Sequence, residues 1–252
     1  MAEDGEHVFA LLHDTDATKT IPAASAVTVN PFFSRKRIAK MADLRNQYMA
    51  YVEKEGWAAD YLMVVDLDVA QLDLDGILSS FGEDAPGWDA VTAYGYSTSP
   101  SLQRRYHDTY ALVKKGEADV PQTEKSIHDN ALGFAAALEK GEWVRVDSAF
   151  GGLSIYRFEC VRGLCYEVMD NEDERVEVRC EHQSIYAQMR SRGFDRIYVN
   201  PQMKLKYQDL TMEIVMNSMK RKLRKIFGGG DFEEVTLISA GTSDLIYGGR
   251  AA

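Results

Sequence analysis

Asp66 and Asp68 are the pair of residues in this 252-residue chain whose types and spacing best suit joint chemistry. They close the run Tyr61-Leu-Met-Val-Val-Asp-Leu-Asp-Val69. The apolar stretch Leu62–Val65, with two β-branched residues, reads as a fully buried strand. Alternate residues of an extended chain face the same side, so both carboxylates can reach one spot. The carboxyl end of a buried strand is where open α/β sheets place ligands. Two carboxylates there suit a hard divalent cation, Mn²⁺ or Mg²⁺, which commonly arrives with a phosphate. A polar turn whose aspartates cap the next helix is the plainer reading of the same tripeptide.

Four other groups could do chemistry. Arg37 and Arg45 are eight residues apart on an expected helix; at about 100° per residue they share a face. A guanidinium's forked donors suit a diphosphate, although Arg35, Lys36 and Lys40 would also make that face an ordinary solvated one. His13-Asp14-Thr-Asp16-Ala-Thr18 reads as a polar turn. Gly151-Gly152 is either a close backbone approach to a ligand or a tight turn in a sheet. Glu181-His182 opens a helix, where a carboxylate is favoured by the dipole and a histidine can exchange protons near neutral pH.

These residues need elements to hold them. Val8–Leu12 and Ala26–Val29 read as short strands. Ser34 is a candidate cap for a helix in which Ile38, Met41, Leu44, Tyr48 and Val52 recur at helical spacing before Gly56. After the Tyr61–Val65 strand come a short helix near 74–81, a strand at 88–94, and a polar, irregular stretch at 95–123. A helix at 125–139 and strands at 143–146 and 153–156 follow. The charged stretch 170–177 reads as a mobile loop. A helix runs from Glu181 to Arg192, and Ile197–Val199 is a last buried strand closed by Asn200-Pro201. Strands alternating with helices imply an α/β sandwich with a mostly parallel central sheet. Residues 209–227 leave that rhythm. Met212, Met216, Met219, Leu223 and Ile226 make an apolar stripe, and Lys220, Arg221, Lys222, Arg224 and Lys225 make a basic cluster. Two readings fit: a helix lying peripherally on an anionic membrane, or one packed on the domain with its charges in water. The chain thus divides into a domain at 1–208 and a C-terminal helix and tail at 209–252.

Composition narrows the class. Hydrophobic residues make up 45% and the formal net charge is −10, so no diffuse positive field recruits nucleic acid. Three cysteines, Cys160, Cys165 and Cys180, lack zinc spacing and read as reduced thiols of a cytoplasmic protein. The acidic start is not a secretory signal, and no apolar run approaches the roughly 18 residues that span a bilayer.

Taken in order, Arg37…Arg45-Asn46…Tyr48, Asp66-Leu-Asp68, Ser148-Ala-Phe-Gly-Gly152…Tyr156, Cys180-Glu-His182 and Ile197-Tyr-Val-Asn-Pro201 resemble a GT-A glycosyltransferase over roughly residues 8–207. The resemblance implies a Rossmann-like α/β/α sandwich and a nucleoside diphosphate sugar as donor substrate. It implies that the D-x-D carboxylates hold Mn²⁺ or Mg²⁺ on the diphosphate, with Asp68 the direct ligand and Asp66 on the ribose or the metal. It turns Arg45, and Arg37 with it, toward the donor. It places Asp14 and Asp16 at the base or ribose, and Gly151-Gly152 at the donor sugar. Many such enzymes have Glu-Asp where this chain has Glu181-His182, the Asp being the general base. Glu181 or His182 is thus the expected catalytic residue for an acceptor hydroxyl, His182 being otherwise a metal ligand or a helix cap. The tyrosines between 94 and 110 would offer stacking faces to a sugar acceptor. Only seven residues precede Val8, so the usual first strand is expected to be missing. Asn200-Pro201 also stands where many relatives carry a metal-binding histidine. The implied activity is transfer of a hexose to a hydroxyl of a glycan or glycan-lipid, as in polysaccharide biosynthesis. The alternative is a truncated or degenerate GT-A fold that binds a glycan or a partner without catalysis.

Overall fold

The computed structural model describes residues 30–56, 58–98 and 103–208. The expected strands at 8–12 and 26–29, Asp14 and Asp16, and the helix at 209–227 lie outside them.

The first helix, α1 (Arg35–Glu55), ends at Gly56 with φ of 62°, the left-handed stop its glycine implied. Ser34 is its N-cap as expected, but without a side-chain cap bond. Ser34 donates its hydroxyl to Pro31 O, and Glu177 Oε2 accepts the Arg35 N–H at 2.9 Å, so a distant carboxylate satisfies the helix end. Next come β1 (Tyr61–Val65), β2 (Gln71–Leu72) and α2 (Leu74–Leu78), the last extended by a 3₁₀ turn at Ser79–Phe81. Strands β3 (Ala90–Thr98), β4 (Arg104–Tyr106) and β5 (Val113–Lys114) give order to part of the stretch read as irregular. Then follow α3 (Glu124–Leu138), started by a capping box between Thr123 and Ser126, β6 (Val144–Ser148), β7 (Leu153–Arg157), α4 (Phe158–Val161), α5 (Glu181–Ser191) and β8 (Ile197–Gln208).

The fold is α/β with one open, mixed sheet ordered β1-β7-β3-β8-β6-β5; β2 also pairs with β8 and β4 with β3. Among the described strands only β3 and β8 run parallel, so the expected mostly parallel sheet is corrected to a mostly antiparallel one. A parallel pair needs a crossover of roughly a dozen residues or more. The chain between β3 and β8 supplies one, and the links around β4 and β5 do not. Hydrophobic periodicity marks a strand but not its direction.

Three further expectations change. β8 does not stop at Asn200-Pro201. Its register to β3 slips between Ala93↔Asn200 and Tyr94↔Lys204, and Pro201 sits in that irregularity, where no ladder N–H is required. The loop at 170–177 is tied down by a bridge from Asp170 to Val178 and by Asn171, whose Nδ2 donates to Gln122 O and Val176 O. β1 is not buried throughout: Val64 is buried while Tyr61 and Met63 are exposed.

Both faces of the central strands are apolar. On β3, Ala90 and Tyr94 join a large core with Ile38, Phe134, Tyr156 and Ile185, while Val91 and Ala93 join Trp88, Leu153, Ile155, Met203 and Leu205 on the other face. The tyrosines read as an acceptor platform are mostly core: Tyr94, Tyr106 and Tyr110 are buried, with Tyr106 edge-on to Phe134 at 4.9 Å. No helix among the described residues is long and apolar enough to cross a membrane.

Candidate functional site

Asp66 follows the last residue of β1, and the turn before β7 fixes it. Its N–H donates to Gly152 O at 2.8 Å. Gly151 and Gly152 have φ of 62° and 87°, conformations that favour glycine. A Cβ on Gly151 would lie 2.2 Å from Ala93 O, and one on Gly152 2.5 Å from Tyr207 Oη. The close approach read from the sequence is therefore made to the protein's own strands. The Asp66 carboxylate lies 3.7 Å from Arg45 Nη2 and accepts from Tyr207 Oη at 3.5 Å. Burial pushes its pKa up to about 6 against the pull of Arg45, and the charges of Asp68 and Glu181 push the same way. Asp68 is exposed at the rim, and partial desolvation raises its pKa as well.

Arg45 reaches this point from the middle of α1. Its Nε donates to Glu181 Oε1 at 2.9 Å, and its guanidinium lies 5.2 Å from the Phe150 ring centre and 5.8 Å from that of Tyr166. Burial opposes its charge, yet Glu181 and its other neighbours hold it protonated. Glu181 is the first residue of α5 and is itself buried. His182 stacks on Phe150 at 3.8 Å and meets the edge of Tyr166 at 5.6 Å. Its Nε2 is 3.8 Å from Glu181 Oε1, but neither ring nitrogen has a hydrogen-bond partner. Burial, helped by Arg45, drops its pKa well below that of an ordinary imidazole. This setting differs from that of the base expected at His182. The ring is neutral at pH 7 and has lost the near-neutral pKa a histidine base would use.

A fourth carboxylate, Asp108, went unread in the sequence. Its Oδ2 accepts from Gly151 N at 3.3 Å and its Oδ1 from Ala111 N at 3.4 Å. Burial first, then the charges of Asp66 and Glu181, push its pKa up to about 7. The neighbouring His107 stacks on Tyr207 at 4.0 Å, so residues 107–108 support both Tyr207 and the glycine turn. No spacing rule links Asp108 to Asp66; the pairing of β3 with β4 brings it there.

Arg37 is placed elsewhere. Its Nη1 donates to Phe32 O at 3.1 Å and its guanidinium covers the Phe32 ring at 4.1 Å. Eight residues of helix separate it from Arg45 by ~12 Å along the axis, so a shared face is not a shared site. Asn200 is committed too: its buried side-chain amide donates to Ser79 Oγ and Ser80 Oγ, both at 2.9 Å. A cavity of about 320 Å³ lies away from these carboxylates, between α1 and α4, lined by Met49, Leu62, Phe158 and Val161 among others.

Among the described residues, no group of three or more His, Cys, Asp or Glu is placed to hold a metal ion. Asp68 is close enough for its charge to act on Asp66, so the two carboxylates are neighbours past the end of β1. In comparisons with known proteins, no family model and no curated protein matches the chain.

Proposed function

We propose that this chain is a metal-dependent glycosyltransferase of the GT-A kind, moving a hexose from a nucleoside diphosphate sugar to a hydroxyl of a glycan or glycan-lipid. The observation that carries this reading is the pairing of Arg45 with Asp66 and Glu181, with Asp108 close to both carboxylates at the Gly151-Gly152 turn and Asp68 at the rim. Carboxylates in excess of cations at a strand's carboxyl end suit a divalent ion carrying a diphosphate. Asp66 and Asp68 would hold that ion, which when bound supplies charge neutralisation to the departing diphosphate. Arg45 presents its remaining guanidinium donors to the phosphates. Glu181 acts through Arg45 as a positioning residue, and Asp108 holds the glycine turn against β3.

A second reading is a GT-A-like protein that binds a glycan or partner without catalysis. The engagement of Arg45 with both Glu181 and Asp66 favours it, because a guanidinium satisfied within the protein has less to offer a phosphate. Thermal melts against a panel of nucleoside diphosphates and sugar nucleotides, with and without Mn²⁺, separate the two. A ligand at a hundred times its Kd adds roughly 2.7 kcal/mol of stability. The transferase reading expects a Mn²⁺-dependent shift for one nucleotide class. That shift, and turnover, should vanish in Asp68→Ala, whose exposed position leaves the fold intact. No shift across the panel would leave the non-catalytic reading.

A further inference from the structure

Six of the eight large apolar side chains exposed among the described residues fall between positions 61 and 81. Leu74, Leu78 and Phe81 are 67%, 66% and 48% exposed and recur at i, i+4 and i+7, along one face of α2 and its 3₁₀ extension. The Phe81 ring meets the edge of Tyr61 at 5.0 Å, and Met63 lies two residues further along the same side of β1. Tyr61 and Met63 are 47% and 52% exposed. A contiguous apolar surface of this kind marks an interaction site.

The charge around this stripe is mostly acidic, although Arg157 opposite Tyr61 and Lys204 beside Asp73 border it from other strands. Positions 56–103 hold eight acidic residues and no Lys or Arg. Asp73 caps α2, Asp75 lies in its first turn, and Glu83 and Asp84 follow Phe81. Such a rim repels anionic lipid headgroups and attracts a cationic helix. The chain carries one such sequence. Residues 209–227 combine the stripe Met212, Met216, Met219, Leu223 and Ile226 with five basic residues between 220 and 225. Residues 1–29 offer the wrong charge, with five acids and one lysine. β8 runs antiparallel to β2, with Leu205 and Lys206 opposite Leu72 and Gln71, so the described chain ends beyond Gln71, at the Leu74 end of the stripe and far from Tyr61. In helical form, Met212–Ile226 would be ~21 Å long, against ~12 Å for residues 74–81.

We propose that the stripe formed by Leu74, Leu78, Phe81, Tyr61 and Met63 is the docking surface for residues 209–227 of the same chain, engaged as a cationic amphipathic helix. Methionine side chains suit this contact because they adapt to an irregular apolar surface.

Disulfide trapping in the full-length chain tests it, in a Cys165→Ser background that removes the exposed native thiol. Leu78→Cys is paired in turn with Met212→Cys, Met216→Cys, Met219→Cys or Leu223→Cys, and with Arg221→Cys or Lys225→Cys as opposite-face controls. The expected result is a disulfide within one chain, independent of protein concentration, forming roughly tenfold faster from the methionine stripe than from the controls. Equal rates from both faces, no disulfide, or disulfides only between two chains would overturn the proposal; the last would name a second copy as the occupant. Hydrogen exchange gives a check free of engineered thiols. Reversing Lys220, Arg221 and Lys222 to Glu in the full chain should speed amide exchange at residues 74–81 about fivefold. Unchanged exchange there would also overturn it.

Discussion

Arg45 stands 2.9 Å from Glu181 and 3.7 Å from Asp66, and the two carboxylates depend on it differently. Glu181 is buried, so removing its partner strands a charge away from water. Arg45→Met is expected to cost roughly 3–5 kcal/mol in urea unfolding, and adding Glu181→Gln should recover much of that loss. Additive costs of the two substitutions would show that the pair is not coupled. Asp108 poses the opposite case. Its folded-state pKa of about 7 lies above the ~3.9 of an unfolded aspartate, so the folded chain holds a proton that the unfolded chain releases. Stability from this group is therefore present below about pH 4 and is lost as pH rises toward 7. Asp108→Asn should remove that slope. It is expected to gain roughly 1–2 kcal/mol over the parent at pH 8 and almost nothing near pH 4 in metal-free buffer. Equal differences at the two pH values would mean that Asp108 carries no shifted charge.

The turn between β6 and β7 sets both the sheet and the site. Gly152→Ala meets two obstacles: a φ of 87° and the Tyr207 hydroxyl 2.5 Å from the new Cβ. A loss of roughly 2–3 kcal/mol is expected by urea unfolding. The added cost should be smaller in a Tyr207→Phe background, where the hydroxyl is gone and the backbone strain remains. The same added cost in both backgrounds would show that Tyr207 does not set the penalty. The sequence made much of this layer readable. The recurrence of Ile38, Leu44 and Val52 before Gly56 marks α1, Gly193 marks the end of α5, and Asp66, Arg45, Glu181 and Gly152 were each singled out before the structure brought them together. What stayed hidden depends on three-dimensional pairing. Periodicity gave Arg37 and Arg45 one face but said nothing of what each would reach along the axis. Apolar content marked β1 as a strand but could not say which of its sides is covered. Asp108 lies in a polar stretch, and only the β3–β4 pairing and the Gly151 amide give it a place in the site.

For the whole chain, a formal charge of −10 means that acidic groups repel one another more than the ion pairs offset. Raising ionic strength from very low salt to ~0.15 M should therefore raise the thermal midpoint, as screening weakens that repulsion. A falling midpoint would mean that pairs such as Arg45–Glu181 and Arg196–Asp89 dominate instead. Long-range pairing also sets an order in time. Asp66 takes its backbone partner from Gly152 and a side-chain partner from Tyr207, the latter 141 positions later. A ribosome adding roughly 5–20 residues per second needs on the order of ten seconds to make that stretch. Throughout most of that interval β1 has been synthesised without β7, the strand that covers its inner edge. A nascent chain halted before residue 153 would thus present an apolar strand edge to the cell's chaperones and proteases, with Asp66 not yet held in place. The Tyr207–Asp66 contact forms only when β8, the last of the described strands, has emerged.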